Sequence, residues 1–348
     1  MGAPPPDRRQ FLLAGAAALV RPGKRPALGV VIHSYGVRSR VSRNRGERPT
    51  FADPLTFLDH CRSLGADGVQ VGLGVPSKED AARLRKRLDD TGMFVEGIVR
   101  LPSGKGDADR FLAELRAAGD LGATVLRTVC LSSRRYETFA TAEAFRDFVK
   151  KSRASLELAE PLAAKAGVRL AVENHKDWRI DEFLDLLRRL SSEHVGVCVD
   201  TGNSIALLEE PHAVVEAYAP YAITTHFKDM AVAECDDGFL LSEVPFGTGF
   251  LDLAKVVKVL RAKRPDVRFN VEMITRDPLR VPCLSPGYWV TLDRVPGREL
   301  ADALARVRKH AWKKPLPRLT GLGEGQLVRA EEDNVVQSLN YARKNLGL

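Results

Sequence analysis

Three carboxylates and an imidazole each stand near the end of a short apolar run in the second half of this chain. They are Glu173 in "RLAVENH", Asp200 in "VGVCVD", His226 in "AITTHFKD" and Glu272 in "RFNVEMI". A buried charge is costly unless it is paired or coordinated, and three carboxylates gathered at low dielectric repel one another strongly. A divalent cation resolves that repulsion, so all four residues are candidate metal ligands. Oxygen donors with a single imidazole suit Mn2+ or Mg2+ first, Co2+ or Zn2+ next, and exclude metals that need thiolates.

Such a centre needs strands that end side by side. From Ala27 onward, β-branched runs alternate with longer segments of helical period, and eight such runs are present: 27–36, 68–73, 94–101, 125–131, 169–175, 195–200, 222–229 and 268–274. The segments between them, "KEDAARLRKRLDDTG" for example, carry apolar residues three and four apart and close on Gly or a Gly-containing pair, as helix C-termini do. Strand and helix in alternation imply parallel pairing through right-handed crossovers. Eight repeats imply a closed (β/α)8 TIM barrel, in which chemistry sits at the C-terminal strand ends. An open doubly wound sheet would show a Gly-rich phosphate loop after its first strand, whereas "HSYGVRSR" has none.

The expected organisation is an N-terminal segment over 1–25, a barrel over 26–312 and a C-terminal helical extension over 313–348, with a homo-oligomer contact as one use for the extension. A Pro- and Gly-rich stretch at 276–298 is read as a loop over one barrel end. Arg8 and Arg9 ahead of a short apolar run resemble a twin-arginine export signal, which implies a periplasmic or otherwise exported protein; without it the chain would be cytoplasmic. That run is too short to span a bilayer, so stable membrane insertion is not expected.

The 348 residues are 44% apolar and 28% charged, which excludes a disordered chain. The net charge of +8 is spread over separate clusters and is read as solvated surface. Five widely spaced cysteines without a C-x-x-C pair supply neither a disulfide framework nor a zinc knuckle; Cys61, Cys130 and Cys198 are read as small core hydrophobes.

The motifs "VENH", "VDTGN", "HFKD", "PFGTGFLD" and "VEM", in this order, resemble the xylose isomerase-like barrels of the sugar phosphate isomerase/epimerase superfamily. The resemblance covers roughly residues 27–275. It implies one divalent metal held by Glu173, Asp200, His226 and Glu272, with Glu173 and Glu272 also exchanging a substrate proton. It implies a small-molecule carbohydrate substrate and an isomerase or epimerase acting beside a carbonyl through an enediolate. A lyase of the same superfamily (a dehydratase or a keto-glycoside-cleaving enzyme) shares the first half of that chemistry, and a non-catalytic exported sugar-binding barrel is the rival from another class. His33, His175, Asn203 and Lys228 are read as substrate-binding, Asn203 standing where ketose 3-epimerases place a histidine. Arg179 and Val232 replace two further sugar-gripping residues of that branch, which argues against a free ketohexose. Endonuclease IV needs histidines this chain lacks, so no nucleic-acid partner is expected.

Overall fold

The computed structural model describes residues 25–348; the twin arginines and the apolar run after them lie outside the described residues. All eight apolar runs become strands: β1 (Leu28–Val31), β2 (Gly68–Gly72), β3 (Phe94–Ile98), β4 (Val125–Thr128), β5 (Arg169–Glu173), β6 (Val195–Asp200), β7 (Ala222–Phe227) and β10 (Phe269–Val271). An insertion places β8 (Asp229–Cys235) and β9 (Gly238–Val244) between the last two, and β11 (Leu279–Val281) follows.

The eight parallel strands close into a barrel as β1 pairs with β10, Leu28 opposite Phe269. Strands buried on both faces need continuous apolar runs, and β6 is buried at every position. Leu170 and Val172 of β5 are fully buried, each stabilising the fold by roughly 1.5–3 kcal/mol relative to exposure. The helices between strands carry the expected punctuation. Thr141 caps the helix Ala142–Ala166 by accepting from Ala144 N at 3.1 Å, and Gly167 ends it at φ 69°, a conformation that glycine adopts without strain.

Strands β5, β6, β7 and β10 are consecutive neighbours around the ring. Their register sets Asp200 opposite His226 and Asn270 opposite that same histidine. Glu173 pairs with Cys198, two residues before Asp200, and Glu272 directly follows β10, so each candidate ligand stands at or near the same end of its strand.

Two features depart from the sequence reading. Strand seven does not run to Asp229: β7 stops at Phe227, and β8, β9 and β11 form a separate antiparallel sheet. Its signal was present, because apolar runs flank Asp236-Asp237-Gly238, a hairpin turn pattern. The 276–298 stretch is accordingly more than a loop, since β11 pairs with β9. The helix Gly297–Lys309 packs on the β8–β9 hairpin, while the expected C-terminal helix, Glu324–Asn345, packs against β10 and the helix Gly36–Asn44. The hairpin engages the first of these helices, and the second fills the place beside the last barrel strand. Glu331, fully buried, secures it by accepting from Val37 N (2.5 Å) and Arg38 N (3.1 Å), at the start of the helix after β1.

Among the described residues no helix is long and apolar enough to cross a membrane.

Candidate metal centre

Glu173, Asp200, His226 and Glu272 each offer a ligand atom, and these atoms all lie within 4.8 Å of one another. All four residues are buried. His226 Nδ1 lies 3.2 Å from Glu173 Oε2 and 3.2 Å from Glu272 Oε1, yet it makes no hydrogen bond, and neither does Asp200 Oδ2. Two buried donor atoms without hydrogen bonds, aimed among carboxylates, fit a divalent cation.

The orientation of His226 is set from below. Thr224, Asn270 and Gln70 all donate to Glu96 Oε2, at 2.8, 3.1 and 3.1 Å. Gln70 thereby turns its amide nitrogen toward Glu96 and its oxygen toward His226, whose Nε2–H donates to it at 2.6 Å. Nδ1 is left facing the carboxylates. Burial alone would lower the His226 pKa, but neighbouring anions, Glu272 and Glu173 among them, raise it well above its ordinary value. A bound cation would take the place of that proton, the usual arrangement for a metal-binding histidine oriented by an outer partner. Sequence reading missed Gln70 and Glu96. Their signal is a polar residue inside the apolar strands "GVQVG" and "FVEGI", at positions that point into the barrel.

Two cations approach the ligands. Arg127 of β4, also missed, donates Nε to Glu173 Oε2 at 2.7 Å and a second N–H to the same oxygen. Lys228 Nζ lies 2.7 Å from Glu272 Oε2 and 3.1 Å from Asp200 Oδ2. Burial favours the neutral acids, but Arg127 and His226 hold the Glu173 carboxyl well below its ordinary range, and His226 and Lys228 do the same for Glu272. For Asp200 burial outweighs Lys228, and its pKa is raised. Its Oδ1 also accepts from Gly202 N and Asn203 N, each at 2.8 Å, so this one aspartate both caps the turn after β6 and faces the cluster.

The remaining sequence candidates divide. His33 Nδ1–H donates to Glu272 Oε1 at 3.0 Å and is partly exposed, which places it at the rim of the centre. Asn203 donates to Glu173 Oε1 at 2.9 Å. His175 is partly buried and donates Nδ1–H to the Ser133 carbonyl at 3.2 Å; burial and the neighbouring Lys176 push its pKa down to about 3. Lys228 pairs with Asp200 and Glu272 rather than Asp229. Asp229 instead accepts backbone N–H from Met230, Gly247 and Gly249, each at 2.9 Å. Two aromatic residues near these positions turn elsewhere: Tyr35 meets His60 at 3.0 Å and Trp178 is buried among Phe148 and Phe183. The hairpin adds Glu243, buried and gripped by Arg276 (Nε to Oε2, 3.0 Å) and 3.7 Å from Lys228. Burial alone would raise its pKa, but Arg276, Lys228 and Lys176 bring it down to about 2.

A family model described as a xylose isomerase-like TIM barrel matches residues 58–309. The chain belongs to that family. Within it, this xylose isomerase-like barrel is 27% identical over 198 residues to a 3-oxo-isoapionate decarboxylase from Pectobacterium atrosepticum, a match covering 56% of this chain and 67% of the relative. It also superposes on a xylose isomerase-like TIM barrel protein from Mycobacterium smegmatis in complex with magnesium, at a TM-score of 0.56 and 17% identity, covering 81% of this chain and 98% of the other. A D-psicose 3-epimerase solved in the presence of D-fructose superposes at a TM-score of 0.59 and 13% identity, covering 92% and 100%. At such identities the two superpositions establish a common fold.

Proposed function

We propose that this barrel is a metal-dependent enzyme that acts on a polyhydroxylated carbonyl compound by moving a proton beside the carbonyl, as a sugar isomerase or epimerase. The observation that carries the reading is the convergence of Glu173, Asp200, His226 and Glu272 within 4.8 Å, with His226 Nδ1 and Asp200 Oδ2 free of hydrogen bonds. A divalent cation bound by these four residues would polarise the substrate carbonyl and stabilise charge on its oxygen.

The protein residues supply the rest. Glu272 removes the proton, its carboxylate held ready by His33 and Lys228. Glu173, oriented by Arg127 and Asn203, returns a proton in this reading. Return to the opposite face of the same carbon epimerises the sugar, and return to the neighbouring carbon isomerises it. Burial of the whole set excludes bulk water from the carbanion-like intermediate.

A second reading is supported by the 27% identical decarboxylase. Loss of carboxylate from a β-oxo sugar acid breaks the C–C bond, releases CO2 and leaves the electron pair in the same enediolate. A single protonation then completes the reaction, and one of the two glutamates suffices. The test is turnover by the Mn2+-loaded protein in D2O, followed by NMR. Deuterium entering recovered sugar beside the carbonyl supports the isomerase or epimerase reading; CO2 release from a β-oxo sugar acid supports the lyase. Tight binding of ketoses and sugar acids with no exchange and no cleavage would overturn both in favour of a binding protein.

A further inference from the structure

Lys176 is the buried cation for which the centre provides no anionic partner. The residue is 2% exposed, and among the described residues its ammonium donates only to the neutral amide oxygen of Asn203, which also accepts from Lys228 Nζ at 3.4 Å. Among the described residues no carboxylate lies within ion-pair distance of it, whereas Arg127, Lys228 and Arg276 each have one. A buried charge in that state is unfavourable unless something meets it.

The wider balance points the same way. Glu173, Asp200, Glu243 and Glu272 face Arg127, Lys176, Lys228 and Arg276. With His226 neutral, as metal ligation requires, four carboxylates against four side-chain cations leave this group neutral before the charge of a metal is added. A divalent cation would then leave a buried excess of positive charge, which a neutral ketose does not meet.

We propose that Lys176 binds a carboxylate of the substrate, so that the substrate is an oxo sugar acid rather than a neutral sugar. This rests on the reading of the centre as a sugar-processing site and specifies its ligand. Lys176 and Lys228 share Asn203 as acceptor, which sets Lys176 next to the four candidate ligands. A ligand whose carbonyl and hydroxyl oxygens face the ligand cluster would meet the ammonium through a carboxylate on an adjoining carbon. Burial, then Lys228 and Arg276, lower the lysine pKa to about 8 against the opposing pull of Glu243 and Asp200, as expected where a cation awaits its counter-charge.

The test uses full-length protein, with and without Mn2+, and two probe pairs in which the hydroxymethyl group beside the carbonyl becomes a carboxylate: D-fructose with 2-keto-D-gluconate, and dihydroxyacetone with hydroxypyruvate. Calorimetry should show each acid binding tighter than its neutral partner, and Lys176→Gln should erase about 10- to 100-fold of that preference, the range of one charged hydrogen bond. Neutral-ketose affinity should stay unchanged, and Lys176→Arg should restore part of the preference. Acids that bind no better than ketoses in the unmodified protein overturn the proposal, even if K176Q does not fold. It is also overturned if K176Q weakens both members of a pair equally, as a purely structural lysine would. Tight, Lys176-dependent acid binding with no turnover of any probe or β-oxo acid would leave this inference standing and sink the enzymatic one.

Discussion

Gln70 accepts the Nε2 proton of His226 at 2.6 Å, and that bond decides which nitrogen of the imidazole faces Glu173 and Glu272. Gln70 is in turn held by Glu96, so the tautomer of a candidate ligand is set by a residue on a strand far from it in sequence.

Replacing that oxygen should therefore damage metal binding before it damages the fold. Gln70→Leu is expected to weaken Mn2+ about 10- to 100-fold, the usual cost of losing an outer partner of a ligating histidine. Metal titration by calorimetry reads the effect. Unchanged affinity would mean that His226 does not ligate through Nδ1.

Glu272→Gln should abolish proton exchange while sparing the fold. The expected loss is about 10²- to 10⁴-fold, the contribution of a positioned general base, read as deuterium uptake by NMR. Full turnover in this variant would remove Glu272 from the mechanism.

Arg127 supports Glu173 when no metal does. Arg127→Met strands a buried carboxylate, at a cost of about 3–5 kcal/mol. Thermal unfolding should show that loss in metal-free protein, and added Mn2+ should raise the melting temperature of the variant more than that of the parent. Equal metal-induced shifts would show that Arg127 and the metal do not serve the same carboxylate.

Glu209 offers a pH test away from the centre. It is buried, its Oε1 accepts from Ile180 N at 2.8 Å and its Oε2 has no hydrogen-bond partner; burial, against the pull of Arg179, raises its pKa to about 8. Between the unfolded value, near 4.5, and 8, the folded state binds more protons than the unfolded state. Stability from this group is thus complete below about 4.5 and is lost as pH rises to 8. Glu209→Gln, which cannot ionise, should match the parent near pH 5 and melt higher at pH 8.5. A pH-independent difference in melting temperature would contradict that linkage.

Gly249 tests the hairpin's anchor. A Cβ there would stand 2.1 Å from Asp229 Oδ1 and 2.5 Å from the Met230 carbonyl. Gly249→Ala should lower the melting temperature through overpacking and loosen the 245–251 loop, visible as faster hydrogen exchange of the Gly247 and Gly249 amides. Unchanged exchange would show that the loop does not depend on Asp229.

Periodicity alone determined the barrel. Eight apolar runs spaced by helical segments leave one economical way to bury both faces of every strand, and Glu173, Asp200, His226 and Glu272 were legible because each interrupts such a run with charge where the run ends. Sequence did not decide which groups balance those charges. Arg127, Gln70, Glu96 and Glu243 lie on four different strands and meet the cluster only after closure and after the hairpin folds over, and each looks locally like an ordinary strand residue. Lys176 and Lys228 are both lysines close to a strand end, yet among the described residues Lys228 has three carboxylates within ion-pair distance and Lys176 none. That difference arises from distances between residues remote along the chain, which only the closed barrel brings within reach of one another.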